Sequence, residues 1–138
     1  MAKKIPKRWM YSPKRGANPK VPEALKQEVI QRAAALLDSV LKPARIVSPP
    51  PEMQWNYIVN LYVNWRGSYF YFGSTWRCPG PNCISEFFDA KFTRLEYEGD
   101  SRFSLAYMRY TNQWITVFYG LTLDECLVEI EKNELFWP

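Results

Sequence analysis

The sequence predicts an α+β domain: an antiparallel sheet of about five strands flanked by an N-terminal and a C-terminal helix. Three observations carry this. Apolar residues recur at helical spacing over 22–41, alternate with other residues at a period of two over 55–76, and return to helical spacing from Leu123. The chain has 138 residues, enough for one domain, and 17% are aromatic rings whose burial offsets the entropy of ordering the chain.

Pro22 suits the first helical position, and Glu23 complements the positive end of the helix dipole. Leu25, Val29, Ala33, Leu36, Leu37, Val40 and Leu41 form one apolar stripe, with Lys26, Gln27, Gln31 and Arg32 opposite. Pro43 is expected to end this helix, because it lacks a backbone donor. Pro49, Pro50 and Pro51 then favour an extended polyproline connector.

Trp55, Tyr57, Val59, Leu61, Val63 and Trp65 alternate with Asn56, Ile58, Asn60, Tyr62 and Asn64, the pattern of a half-buried strand. A two-residue turn at Arg66-Gly67 leads into Ser68–Trp76 and sets Val63 opposite Phe70, Leu61 opposite Phe72 and Tyr57 opposite Trp76. That side is core. The other presents Asn56, Asn60, Tyr62, Asn64, Tyr69 and Tyr71, a tyrosine–asparagine surface without interleaved Lys or Arg.

Phe87–Tyr97 and Arg102–Tyr110 are expected to pair around a three-residue loop at Glu98-Gly99-Asp100. This aligns Leu95 with Leu105 and Tyr97 with Phe103, and leaves Arg94, Glu96 and Ser104 outside. A turn at Thr111-Asn112 precedes Trp114–Tyr119, which is apolar on both sides and predicts a strand covered on both faces. Gly120 breaks the strand, and Thr122-Leu123-Asp124-Glu125 has capping-box spacing. Leu123, Cys126, Leu127 and Ile130 supply the stripe of the last helix. The closing Leu135-Phe136-Trp137-Pro138 is expected to be tied down, since a free apolar terminus promotes aggregation.

Charge is distributed unevenly. Residues 1–20 hold seven basic groups (Lys3, Lys4, Lys7, Arg8, Lys14, Arg15 and Lys20) and no acid. The other 118 residues carry 11 basic and 14 acidic side chains, a net charge of −3. The expected organisation is a flexible basic leader over 1–20 and a single α+β domain over 21–138. Pro6, Pro13 and Pro19 disfavour a helix in the leader, whose cations suit phosphate neutralisation with counterion release. A solubilising tail is the plainer role, although Trp9 and Tyr11 are unusual in one. No apolar core follows the first lysines, and no uncharged run reaches the about 18 residues of a membrane helix. The expectation is a cytoplasmic protein that does not enter a membrane.

Catalytic signals are sparse. The absence of histidine excludes Ser-His-Asp and Cys-His arrangements, and no glycine-rich phosphate loop is present. Cys78 and Cys83 bracket Pro79-Gly80-Pro81-Asn82, and Cys126 is the one further cysteine, so this chain alone cannot supply the four thiolate or imidazole ligands of structural zinc. A disulfide across that loop is sterically feasible, but a reducing cytosol predicts free thiols. Neither metal nor cofactor is assigned. The pairs Glu86 with Asp89 and Glu96 with Glu98 do not define a cleft by spacing alone. Arg94, Arg102, Arg109 and Tyr107 are the candidates for an anion site in a histidine-independent enzyme, with pairing to Glu96, Glu98 or Asp100 expected instead.

The leading expectation is a non-catalytic module that binds single-stranded nucleic acid. Lys3, Lys4, Lys7, Arg8, Lys14 and Arg15 would hold phosphates, and Tyr62, Tyr69 and Tyr71 would stack bases. The competing reading of the tyrosines is an amphipathic face beneath a helix or at a subunit contact. The alternative function is protein interaction or self-association, as a homodimer or within a larger assembly, suggested by the apolar surplus over Phe103–Tyr119.

Overall fold

The computed structural model describes residues 19–49, 52 and 54–138. The first apolar stripe forms helix α1 (Glu23–Leu36), which passes through a π turn (Leu37–Leu41) into a final α-helical turn, α2 (Lys42–Arg45). Val29, Ala33, Leu36, Leu37 and Leu41 are buried along it. Pro22 is the N-cap, in extended conformation, rather than the first helical residue. The helix also does not stop at Pro43, which lies inside α2. The Lys42 N–H reaches back to the Leu37 carbonyl, a π spacing that widens the helix immediately before the proline. Proline removes one donor and crowds the carbonyl four residues earlier, and this wider turn accommodates both defects. Of the polyproline connector, Pro50 and Pro51 lie outside the described residues.

Five antiparallel strands follow, β1 (Tyr57–Arg66), β2 (Tyr69–Arg77), β3 (Phe87–Gly99), β4 (Arg102–Met108) and β5 (Trp114–Leu121). They lie side by side in chain order, and β1 and β5 are the edges of the described sheet. Helix α3 (Leu123–Lys132) ends the domain with a short 3-10 turn, Glu134–Phe136. This is the predicted α+β class with its flanking helices.

Register departs from expectation at the turns and bulges. The first hairpin turns at Gly67-Ser68, with Arg66 opposite Tyr69, Val63 opposite Phe72, Leu61 opposite Ser74 and Tyr57 opposite Arg77. Gly67 takes the positive φ of 62° that the turn needs and that glycine tolerates best. The shift is two residues, so both faces keep their side chains near the turn. Further along, a bulge at Val59 reverses the alternation. Ile58 enters the core at 7% exposure, and Tyr57 moves to the side first assigned to Ile58. Between β3 and β4, Leu95 does face Leu105 and Tyr97 does face Phe103. The connection is a two-residue turn, Asp100-Ser101, plus a bulge at Glu98, rather than a three-residue loop.

One face of the sheet is the core. Leu61, Phe70, Phe72, Leu95, Phe103 and Leu105 pack with Val29, Ala33 and Leu41 from the first helix and Cys126, Ile130 and Phe136 from the C-terminal segment. The Thr122 hydroxyl and Glu125 carboxylate complete the capping box of α3 by accepting each other's backbone N–H. The terminus is anchored: Trp137 Nε1 donates to the Ile130 carbonyl at 2.6 Å, and Thr93 Oγ1 donates to the Phe136 carbonyl at 2.9 Å. The expectation that β5 is covered on both faces fails. It is an edge strand with two irregularities against β4, and Val117 and Tyr119 are exposed at 37% and 53%. Cys78 and Cys83 form a disulfide at the β2–β3 connection, in place of the expected free thiols.

Candidate functional site

The tyrosine positions converge on the sheet face opposite both helices. Tyr62 on β1 pairs across with Gly73, Asn64 with Tyr71, and Arg66 with Tyr69. Tyr69, Tyr71 and Tyr62 are half-buried. The Tyr62 ring lies over Gly73, where a Cβ would collide with it, so glycine is what lets the ring lie flat on the sheet. Among the described residues no helix packs on this face, which corrects the idea of a tyrosine surface beneath a helix. The leader positions Lys3, Lys4, Lys7, Arg8, Lys14 and Arg15 lie outside the described residues.

This face does carry interleaved cations, contrary to expectation. Thr93 pairs with Phe72, but Lys91 pairs with Gly73, which leaves Phe92 as an extra residue in β3. That bulge places Lys91 and Arg94, an odd number of residues apart, on one face. Phe92 turns into the core instead. Lys91 Nζ donates to the Tyr62 hydroxyl at 3.2 Å and lies 5.4 and 5.8 Å from the centroids of Tyr62 and Tyr71. The Arg94 guanidinium lies 4.6 Å from the Tyr69 ring centroid and 4.9 Å from that of Trp114. Trp114 reaches this position from β5, where it also contacts Tyr71 at 5.8 Å. The small residues Ser104 and Ala106 lie on β4 opposite Glu96 and Arg94, and both are buried despite facing away from the core cluster.

The face carries both signs of charge, because Glu96 lies on it opposite Tyr69, two residues along β3 from Arg94. Neither Lys91 nor Arg94 forms a salt bridge among the described residues, so the expected pairing of Arg94 with a carboxylate does not occur. Arg94 Nε is buried and has no hydrogen-bond partner there. Cation–π attraction contributes about 0.5–2 kcal/mol per contact and fixes the rings, but it leaves the positive charges formally uncompensated. An anion meeting this surface encounters Lys91 and Arg94 framed by four rings, with the Glu96 carboxylate on the same face.

The other candidates separate. Tyr107 faces the core against Phe136, Arg102 donates to the Gly120 carbonyl, and Arg109 lies near Tyr110. They do not join Arg94 in an anion site. Glu86 is bound to Arg77, and Asp89 accepts from the Thr75 hydroxyl. A cleft of about 340 Å³ lies between α1, the Asp100-Ser101 turn and the start of α3. Arg32 in its wall is already paired with Asp124. Among the described residues no group of three or more acidic or cysteine side chains could hold a metal ion. Cys126 is fully buried, and burial, with Glu125 and Glu98 adding to it, pushes its thiol up to about 12, which disfavours the reactive thiolate.

Trp114, Lys91 and Arg94 are the residues that sequence reading missed or misassigned on this face. No described helix is long and apolar enough to cross a membrane. No curated protein and no solved structure matches the chain. Residues 21–138 match the family model described as Domain of unknown function (DUF3024), a match over most of the chain, and the protein therefore belongs to the DUF3024 family.

Proposed function

We propose that this protein is a non-catalytic module for single-stranded nucleic acid, bound across the outer face of the sheet. The observation that carries this reading is the interleaving of Lys91 and Arg94 with Tyr62, Tyr69, Tyr71 and Trp114. Exposed bases stack on aromatic and guanidinium planes, while cations track the phosphates. Each stacked base contributes about 1–3 kcal/mol, so a few rings with two phosphate contacts suffice for a useful affinity. The seven cations of residues 1–20 add long-range attraction for the same polyanion.

The test is fluorescence anisotropy with labelled single-stranded RNA and DNA at several salt concentrations. The full chain is compared with the Lys91→Ala/Arg94→Ala double variant, and with a chain in which the leader's Lys and Arg are replaced by Gln. Binding that weakens with salt and falls sharply in the double variant supports the reading. Salt-independent association, equal in all three proteins, contradicts it.

The second reading is self-association through β5, favoured by its position at one side of the described sheet and by its eight uncharged residues. Val117, exposed at 37%, supplies apolar surface there for a second copy of the chain. A Val117→Lys variant is expected to dissociate any dimer seen by sedimentation. A monomer at all concentrations removes this reading.

A further inference from the structure

We infer that the outer face selects unpaired strands whose bases stack weakly on one another, pyrimidine-rich rather than purine-rich; this deepens the nucleic-acid reading and rests on it. The rings are spaced more widely than the bases of a stacked strand. Tyr69 and Tyr71 have centroids 6.1 Å apart, and Tyr71 and Trp114 are separated by 5.8 Å. Successive bases in a stacked strand are about 3.4 Å apart. A strand that keeps its own stacking cannot place consecutive bases on consecutive rings, so a bound strand must be pulled open.

Ring orientation reinforces this. The planes of Tyr69 and Tyr71 differ by 36°, and those of Tyr71 and Trp114 by 45°, so no common plane exists for a continuous stack. Arg94 already covers one side of both Tyr69 and Trp114, which leaves a base at most one side of each ring. Lys91 and Arg94 lie three residues apart on one strand, within roughly 10 Å by the rise per residue. That reach suits phosphates of a single extended backbone. A duplex hides the planes of its bases and cannot use the rings at all.

Opening the strand costs stacking energy before any contact with protein forms, and purines lose more than pyrimidines. One stacking step corresponds to about tenfold in affinity, which sets the size of the expected preference. Labelled oligothymidylate, oligodeoxyadenylate and a hairpin duplex of equal length are titrated against the full chain, with Trp114→Ala as the variant. Thymidylate is expected to bind about tenfold tighter than deoxyadenylate, the duplex weakest, and Trp114→Ala is expected to weaken thymidylate binding most. Deoxyadenylate binding as tightly as thymidylate overturns this inference and leaves the broader reading standing. Absence of binding to either single strand overturns both, and the wild-type comparison alone decides between these outcomes if Trp114→Ala does not fold.

Discussion

The two faces of the sheet use similar rings for different purposes. In Tyr69-Phe70-Tyr71-Phe72 the phenylalanines point inward and are fully buried, while the tyrosines point outward and stay half-buried. On β3, Leu95 and Tyr97 enter the core, whereas Lys91 and Arg94 line the other side. The inner face is covered by the helices and the C-terminal segment. The outer face keeps contact with solvent and holds its rings through cations as well as through one another. Tyrosine serves both: Tyr97 packs its ring against Phe103 in the core, while the outer Tyr62 hydroxyl accepts a hydrogen bond from Lys91.

This contrast can be broken most visibly at β2. Phe70→Ala is expected to cost about 3–5 kcal/mol in urea unfolding, while Tyr71→Ala costs about 1 kcal/mol or less. Similar costs would mean that the outer face is a second core and not a surface. Gly73→Ala sharpens the picture further. Its new methyl meets the Tyr62 ring, so a loss of about 1–3 kcal/mol is expected, partly recovered by combining it with Tyr62→Ala. No recovery in the double variant would show that the ring does not lie over the glycine.

The sealed face also predicts a pH dependence. Cys126 has its thiol raised to about 12 by burial, against an ordinary value of 9.0. Above the ordinary value the unfolded chain releases this proton and the folded chain does not, so stability falls as pH rises toward the folded value. The slope is about 1.4 kcal/mol per pH unit, and Cys126→Ala is expected to lack this component when urea unfolding is compared at pH 8 and pH 10. An identical slope in both proteins would place Cys126 in contact with water. The smallest expected stability effects belong to the open face. Lys91→Ala and Arg94→Ala are each expected to change stability by about 0.5 kcal/mol or less, while each lowers the salt slope of nucleic-acid binding by about one.

Much of this architecture was legible in the sequence because it is written in alternation and spacing. The stripe from Leu25 to Leu41, the capping box at Thr122, and the pairing of Leu95 with Leu105 all follow from local patterns. The bulges at Val59, Phe92 and Glu98 did not announce themselves, because an extra residue in a strand resembles its neighbours in composition. Phe92 mattered most: it alone decides that Lys91 shares a face with Arg94, and regular alternation puts them on opposite sides. Trp114 was missed for a different reason. Its contact with Tyr71 spans from β5 to β2, and no local pattern carries that proximity. The Asp100-Ser101 turn also escaped, since both residues take positive φ without being glycine. The helix running past Pro43 depends on a π turn that the usual proline rule does not foresee.

Binding across the outer face is tested by chemical-shift mapping of the full-length, isotope-labelled protein during titration with a single-stranded pyrimidine oligonucleotide. Perturbations are expected to concentrate at Tyr62, Tyr69, Tyr71, Lys91, Arg94 and Trp114, with α1 and α3 unaffected. Perturbations confined to the helices or to the cleft beside Asp100, with the outer face silent, would contradict it.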